Sequence, residues 1–124
     1  MKYQVLQIRA TDAEIDLFNS SEDYDAVPKI KARRDMSFPR LVKSTVEALA
    51  KDAFEKGFYT HVSNITASDL EHVFQIGNIG PEEQIERLDR MASISVGDIV
   101  IDENNIVWVV ADYGFKEVME LETA

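Results

Sequence analysis

Two short apolar runs near the C-terminal end of the sequence constrain its fold most. Residues 99–101 read Ile-Val-Ile, and residues 106–110 read Ile-Val-Trp-Val-Val. Consecutive β-branched and aromatic residues are typical of strands that are covered on both faces. The residues between the runs, Asp-Glu-Asn-Asn, are typical of a turn, because their side chains bond to the backbone and Asn tolerates positive φ. This pattern predicts a buried β-hairpin.

Local patterns in the rest of the chain predict three further strands and several helices. Residues 3–8 and 58–65 carry the β-branched and aromatic residues of strands, and residues 115–118 form a short final strand. Residues 38–55 place their apolar side chains on one wide stripe, with a proline in the first turn, so they predict the main packing helix. We therefore expect one α+β domain over 1–124, with a small mixed or antiparallel sheet and a C-terminal hairpin.

Three shorter helices complete the expected domain. Thr11 begins a Thr-x-x-Glu capping box, in which side chains satisfy the first backbone N–H groups of a helix. A second short helix is expected over 68–74, with Phe74 among its inward side chains. A third is expected over 82–88, where a proline and two glutamates precede the apolar positions.

The composition excludes several classes of chemistry. The 124-residue chain contains no cysteine, which excludes disulfides, thiolate metal ligands and a cysteine nucleophile. No apolar stretch approaches the roughly 20 residues needed to cross a bilayer, and residues 1–9 lack the pattern of a signal peptide. We therefore expect a cytoplasmic protein with no membrane association.

The net charge of −10 is distributed unevenly along the chain. Residues 29–56 carry eight basic and four acidic residues, whereas residues 57–124 carry thirteen acidic and three basic residues. A solvated surface alone explains such an imbalance, and an acidic half that meets a basic partner is the functional interpretation. The extreme form of that interpretation is a DNA mimic, which predicts carboxylates spaced along one elongated face.

Candidate protein-binding residues lie in the acidic half. The region around the predicted third helix presents four carboxylates on one helix surface, and an aromatic residue stands beside Gly114 in a loop. These candidates are Glu82, Glu83, Glu86, Asp89 and Tyr113. An open edge of the hairpin would also allow a partner strand or a second copy of the chain to add, so a homo-oligomer is compatible with the sequence.

A basic strip supplies the alternative, a nucleic-acid binder. Lysine and arginine side chains there could contact phosphates, and steep salt dependence is expected in that case. The residues of the strip are Lys29, Lys31, Arg33, Arg34, Arg40 and Lys43. The same side chains could instead pair with carboxylates of the chain itself.

No constellation of residues predicts catalysis, a cofactor or a metal ion. His61 and His72 are the only histidines, and their spacing does not match a metal motif. Ser93, Ser95 and Asp98 lack a nucleophile motif, so we expect Asp98 to bond to the backbone of a turn. We therefore expect that this protein is not an enzyme.

The second half of the chain resembles the YodL-like family of small phage and mobile-element proteins. Residues 70–74 read Leu-Glu-His-Val-Phe, and Asn78 and Pro81 follow. Residues 93–100 read Ser-Ile-Ser-Val-Gly-Asp-Ile-Val, and residues 111–118 read Ala-Asp-Tyr-Gly-Phe-Lys-Glu-Val. The resemblance covers about residues 58–118 and departs from the family pattern between Pro81 and Ser93. It implies an accessory protein of a phage or mobile element, compatible with counter-defence or host takeover.

Overall fold

The computed structural model describes residues 1–23 and 25–122, which form one α+β domain around an antiparallel sheet. Six strands lie in the order β3-β2-β1-β4-β5-β6, and each pairs antiparallel with its neighbours. The strands are β1 (Lys2–Ile8), β2 (Tyr59–Thr66), β3 (Ile85–Arg87), β4 (Ile99–Ile101), β5 (Ile106–Val110) and β6 (Phe115–Glu120). The α+β class and the C-terminal hairpin are confirmed.

Within residues 1–23 and 25–122, four α-helices and two short 3₁₀ turns connect the strands. The helices are α1 (Asp12–Ser20), α2 (Pro28–Ser37), α3 (Val46–Glu55) and α4 (Leu70–Asn78), and the 3₁₀ turns are Pro39–Val42 and Glu82–Gln84. The predicted capping box at the start of α1 is confirmed, because Thr11 and Glu14 exchange side chain-to-backbone hydrogen bonds. Gly57 follows the C-cap of α3 with a φ of +74°, the left-handed conformation in which glycine commonly ends a helix.

Helices cover both faces of the sheet, which explains the consecutive apolar residues in β4 and β5. On one face, Met36 of α2 and Ala50 of α3 pack with Ile99. On the other face, Val73 of α4 packs with Val100 and with the other buried residues of that face. Each central strand therefore buries side chains on both of its faces. The polar edges of the domain are formed by its outer strands.

The single helix predicted over 38–55 is wrong over residues 38–45. Pro39–Val42 is a 3₁₀ turn, and Lys43 then takes the left-handed conformation with a φ of 54°. The Thr45 side chain accepts a hydrogen bond from the Ala48 N–H, so α3 starts after it. The apolar side chains before this break do not continue the packed stripe, and Leu41 is 81% exposed.

One other predicted element differs because its partner is distant in sequence. The helix predicted over 82–88 is wrong, since Glu82–Gln84 is a 3₁₀ turn and Ile85 and Glu86 pair with β2 as a short edge strand. Residues 93–98, which precede β4, have no regular secondary structure. Helix α4 occurs in the expected region but is shifted, and Asp69 caps its N-terminus.

Candidate protein-interaction surfaces

The four predicted acidic residues lie along the β3 edge of the sheet, not on a common helix. All four are exposed. Glu82 accepts two hydrogen bonds from the Arg87 guanidinium at 2.5 and 2.9 Å, which lowers the pKa of its carboxyl group. Glu86 accepts a 2.7 Å hydrogen bond from the Asn64 amide. Glu83 and Asp89 complete this surface, which we call the acidic edge.

Tyr113 lies far from the acidic edge. It is in the turn between β5 and β6 (residues 111–114), and 93% of its surface is exposed. Because β3 and β6 are the opposite edges of a six-stranded sheet with strands about 4.8 Å apart, the two locations are on the order of 20 Å apart. The predicted protein-binding residues therefore form two separate surfaces.

Ion pairs within the chain occupy half of the predicted basic strip. Three of its side chains, all on α2, contact carboxylates at hydrogen-bonding distance. The pairs are Lys29–Glu14 at 3.2 Å, Lys31–Asp35 at 2.6 Å and Arg34–Asp25 at 2.7 Å. The hydrogen bond from Lys31 to Asp35 raises the pKa of the lysine, and that from Arg34 to Asp25 raises the pKa of the arginine. These pairs neutralise the strip locally.

The other three basic residues are divided between α2 and the segment that follows it. Arg33 is exposed on α2, whereas Arg40 lies in the first 3₁₀ turn and Lys43 follows it. Arg40 and Lys43 are on either side of exposed Leu41. We call residues 38–43 the basic apolar segment, because both charge and apolar surface are exposed there.

A groove of about 360 Å³ lies between α4 and the β5–β6 turn. Its apolar wall includes Phe74, Val110 and Phe115, and two carboxylates, Glu71 and Asp112, also line it. Phe74 was predicted to point inward, but 40% of its surface is exposed. We call this site the acidic groove. Sequence periodicity missed it because Val73, the adjacent residue of α4, is the one that packs on the sheet.

A second cavity, of about 210 Å³, lies on the other side of the same turn. Pro39 from the basic apolar segment lines it together with Tyr113. Ala111 and Asp112 line both cavities. The β5–β6 turn is therefore bordered by the acidic groove on the α4 face and by the basic apolar segment on the α2–α3 face.

A buried polar cluster around Gln7 and Asp98 holds residues 92–98 against β1. The Gln7 side chain exchanges two 3.0 Å hydrogen bonds with the Ala92 backbone and donates a third to the Asp98 carboxylate. Asp98 also accepts the Ser95 N–H at 2.9 Å, which confirms its predicted bonding to a turn backbone. Burial raises the pKa of Asp98 to about 6, although the Ser95 and Gln7 hydrogen bonds oppose that rise.

The two histidines have local hydrogen-bonding partners. The His61 Nε2 lies 2.8 Å from the Asn64 side-chain oxygen, and His72 Nδ1 accepts the Ser68 N–H at 3.0 Å. Within residues 1–23 and 25–122, no group of three or more histidine, aspartate and glutamate side chains is placed to hold a metal ion. Over the same residues, no helix has the length and apolar character needed to cross a membrane.

Comparison with known proteins identifies no relative. No protein-family model, curated protein sequence or solved structure matches the chain. The geometry of its own surfaces is therefore the basis for assigning a function.

Proposed function

We propose that this protein is a non-enzymatic accessory protein of a phage or mobile element that binds a host or phage protein through its acidic half. The resemblance of residues 58–118 to the YodL-like family is the basis for the biological setting. Counter-defence and host takeover both fit that setting. The binding proposal rests on the surface of the molecule.

The observation that carries the binding proposal is the contrast between the two charged regions. Three of the six cations of the basic strip contact carboxylates of the chain itself, so phosphate contact by these three would require breaking those pairs. In the acidic edge only Glu82 is held in such a pair among the described residues, and Glu83, Glu86 and Asp89 are exposed along a sheet edge. Exposed charges of one sign attract a partner of the opposite sign and raise its association rate.

Affinity capture from bacterial lysate, with and without nuclease, tests this proposal. Glu82 is left unchanged in the test variant, so that its ion pair with Arg87 is kept. The test variant carries Glu83→Lys, Glu86→Lys and Asp89→Lys. A matched control with the same change in net charge carries Asp16→Lys, Glu22→Lys and Glu55→Lys, all exposed and outside the acidic half.

The proposal predicts a specific protein that is recovered in the presence of nuclease by the wild type and by the control. The acidic-edge variant is expected to lose that protein. If recovery disappears with nuclease, or if both variants lose the protein equally, the proposal is wrong. A recovered protein that itself binds nucleic acid through a basic groove would identify the chain as a DNA mimic.

A further inference from the structure

We infer that two copies of this protein associate end to end, with the basic apolar segment of each copy in the acidic groove of the other. This inference does not depend on the proposed partner protein. It concerns the opposite edge of the sheet from the acidic edge, around the β5–β6 turn.

The chemistry of the two surfaces is complementary. The segment presents Leu41, which is 81% exposed, between the cations Arg40 and Lys43. The groove presents an apolar wall that includes Phe74, together with carboxylates that would face those cations. Leucine in the groove would remove apolar surface from water, and the flanking charges would set its orientation.

The positions of the two surfaces permit a closed dimer. Both lie at the β5–β6 end of the sheet, the segment on the α2–α3 face and the groove on the α4 face. A two-fold axis in the plane of the sheet would turn the second copy over, so its segment would meet the groove of the first copy. The reciprocal contact would form at the same time, and closure with two copies would follow.

Exposed side chains at the turn add to the expected contact. Tyr113 is 93% exposed beside the proposed axis, and Phe38 is 58% exposed at the start of the segment. Exposed aromatic side chains are common anchors of protein interfaces. Because the contacting segments are short, we expect a weak dimer with a Kd on the order of 10–100 µM.

Sedimentation velocity of the purified chain over about 5–500 µM tests the association. Leu41→Ser is expected to raise the dimer Kd by about tenfold or more, because it removes the apolar anchor. The matched control is Ile79→Ser, since Ile79 is 84% exposed at the end of α4 but does not line the groove. A monomer at all concentrations, or equal effects of the two substitutions, would overturn the inference.

A charge-exchange experiment separates this arrangement from other dimers. The variant Arg40→Glu/Lys43→Glu has an acidic segment, and Glu71→Lys/Asp112→Lys has a basic groove. Each variant alone is expected to be monomeric, because like charges would meet at both contacts. Mixed in equal amounts, they are expected to form a heterodimer with a Kd within about threefold of the wild-type value, since both contacts become attractive again. Absence of the heterodimer would contradict the inference, with circular dichroism confirming that each variant is folded.

Discussion

Ionisation of Asp98 is expected to destabilise the folded protein as the pH rises. The carboxyl group is 5% exposed, and its pKa rises from 3.8 to about 6 on folding. Well below pH 3.8 the group is protonated in both the folded and the unfolded states, so its contribution to stability is fully present. As the pH rises from about 4 to 6, the unfolded state releases this proton while the folded state keeps it, so the contribution falls, and it is lost once the pH has passed the folded-state pKa.

The magnitude follows from the two pKa values of Asp98. At 1.36 kcal/mol per pKa unit, the rise from 3.8 to about 6 corresponds to about 3 kcal/mol, most of which develops between pH 4 and pH 8. Asp98→Asn removes the titration, while the amide oxygen can still accept the Gln7 and Ser95 hydrogen bonds. The wild type should therefore lose about 2–3 kcal/mol of stability relative to the variant over this range.

Urea unfolding followed by circular dichroism, at several pH values for both proteins, measures this difference. Glu14 and Glu82 have lowered pKa values, so their contributions are lost as the pH falls. Those contributions are the same in the wild type and in the variant, and they cancel in the comparison. A difference in unfolding free energy that stays constant within about 0.5 kcal/mol from pH 4 to pH 8 would refute the reasoning.

Three substitutions test the packing and capping described above, each by the same urea unfolding assay. Gly77→Ala is expected to cost about 1–3 kcal/mol, because its Cβ would lie 2.3 Å from the Ile94 Cδ1, and Ile94→Val should recover part of that loss. Thr45→Ala should cost about 1 kcal/mol by removing the cap of α3, and no loss would contradict that role. Asn78→Ala should cost about 1–3 kcal/mol, since its side chain bonds both the N–H and the carbonyl of Ile94; an unchanged unfolding midpoint would contradict this.

Local patterns in the sequence predicted the elements whose structure is determined locally. The β4–β5 hairpin and the capping box at Thr11 each follow from a few adjacent residues. The helix over 38–55 failed where two local signals compete, because the cap at Thr45 interrupts an apolar periodicity that continues across it. Competition of this kind is decided by packing, which periodicity does not report.

The candidate interaction surfaces, in contrast, are determined by contacts between distant parts of the chain. Residues 85–87 form a strand because β2 is available for pairing, and Gln7 binds a segment 85 residues away. The sequence identified acidic and basic candidates by composition, but not that the acidic residues and Tyr113 lie at opposite sides of the sheet. Neither the acidic groove nor the pairing of Lys29 with Glu14 could be predicted without the tertiary structure.

The most direct test of the central claim is the rate at which the captured protein associates, measured against ionic strength. Recognition by the acidic half predicts that the association rate falls about tenfold or more between about 50 and 500 mM salt for the wild type and for the Asp16/Glu22/Glu55 control. The Glu83/Glu86/Asp89 variant should associate slowly at all salt concentrations, with a much smaller dependence. A wild-type association rate that does not change with salt would contradict the claim that the acidic half attracts the partner.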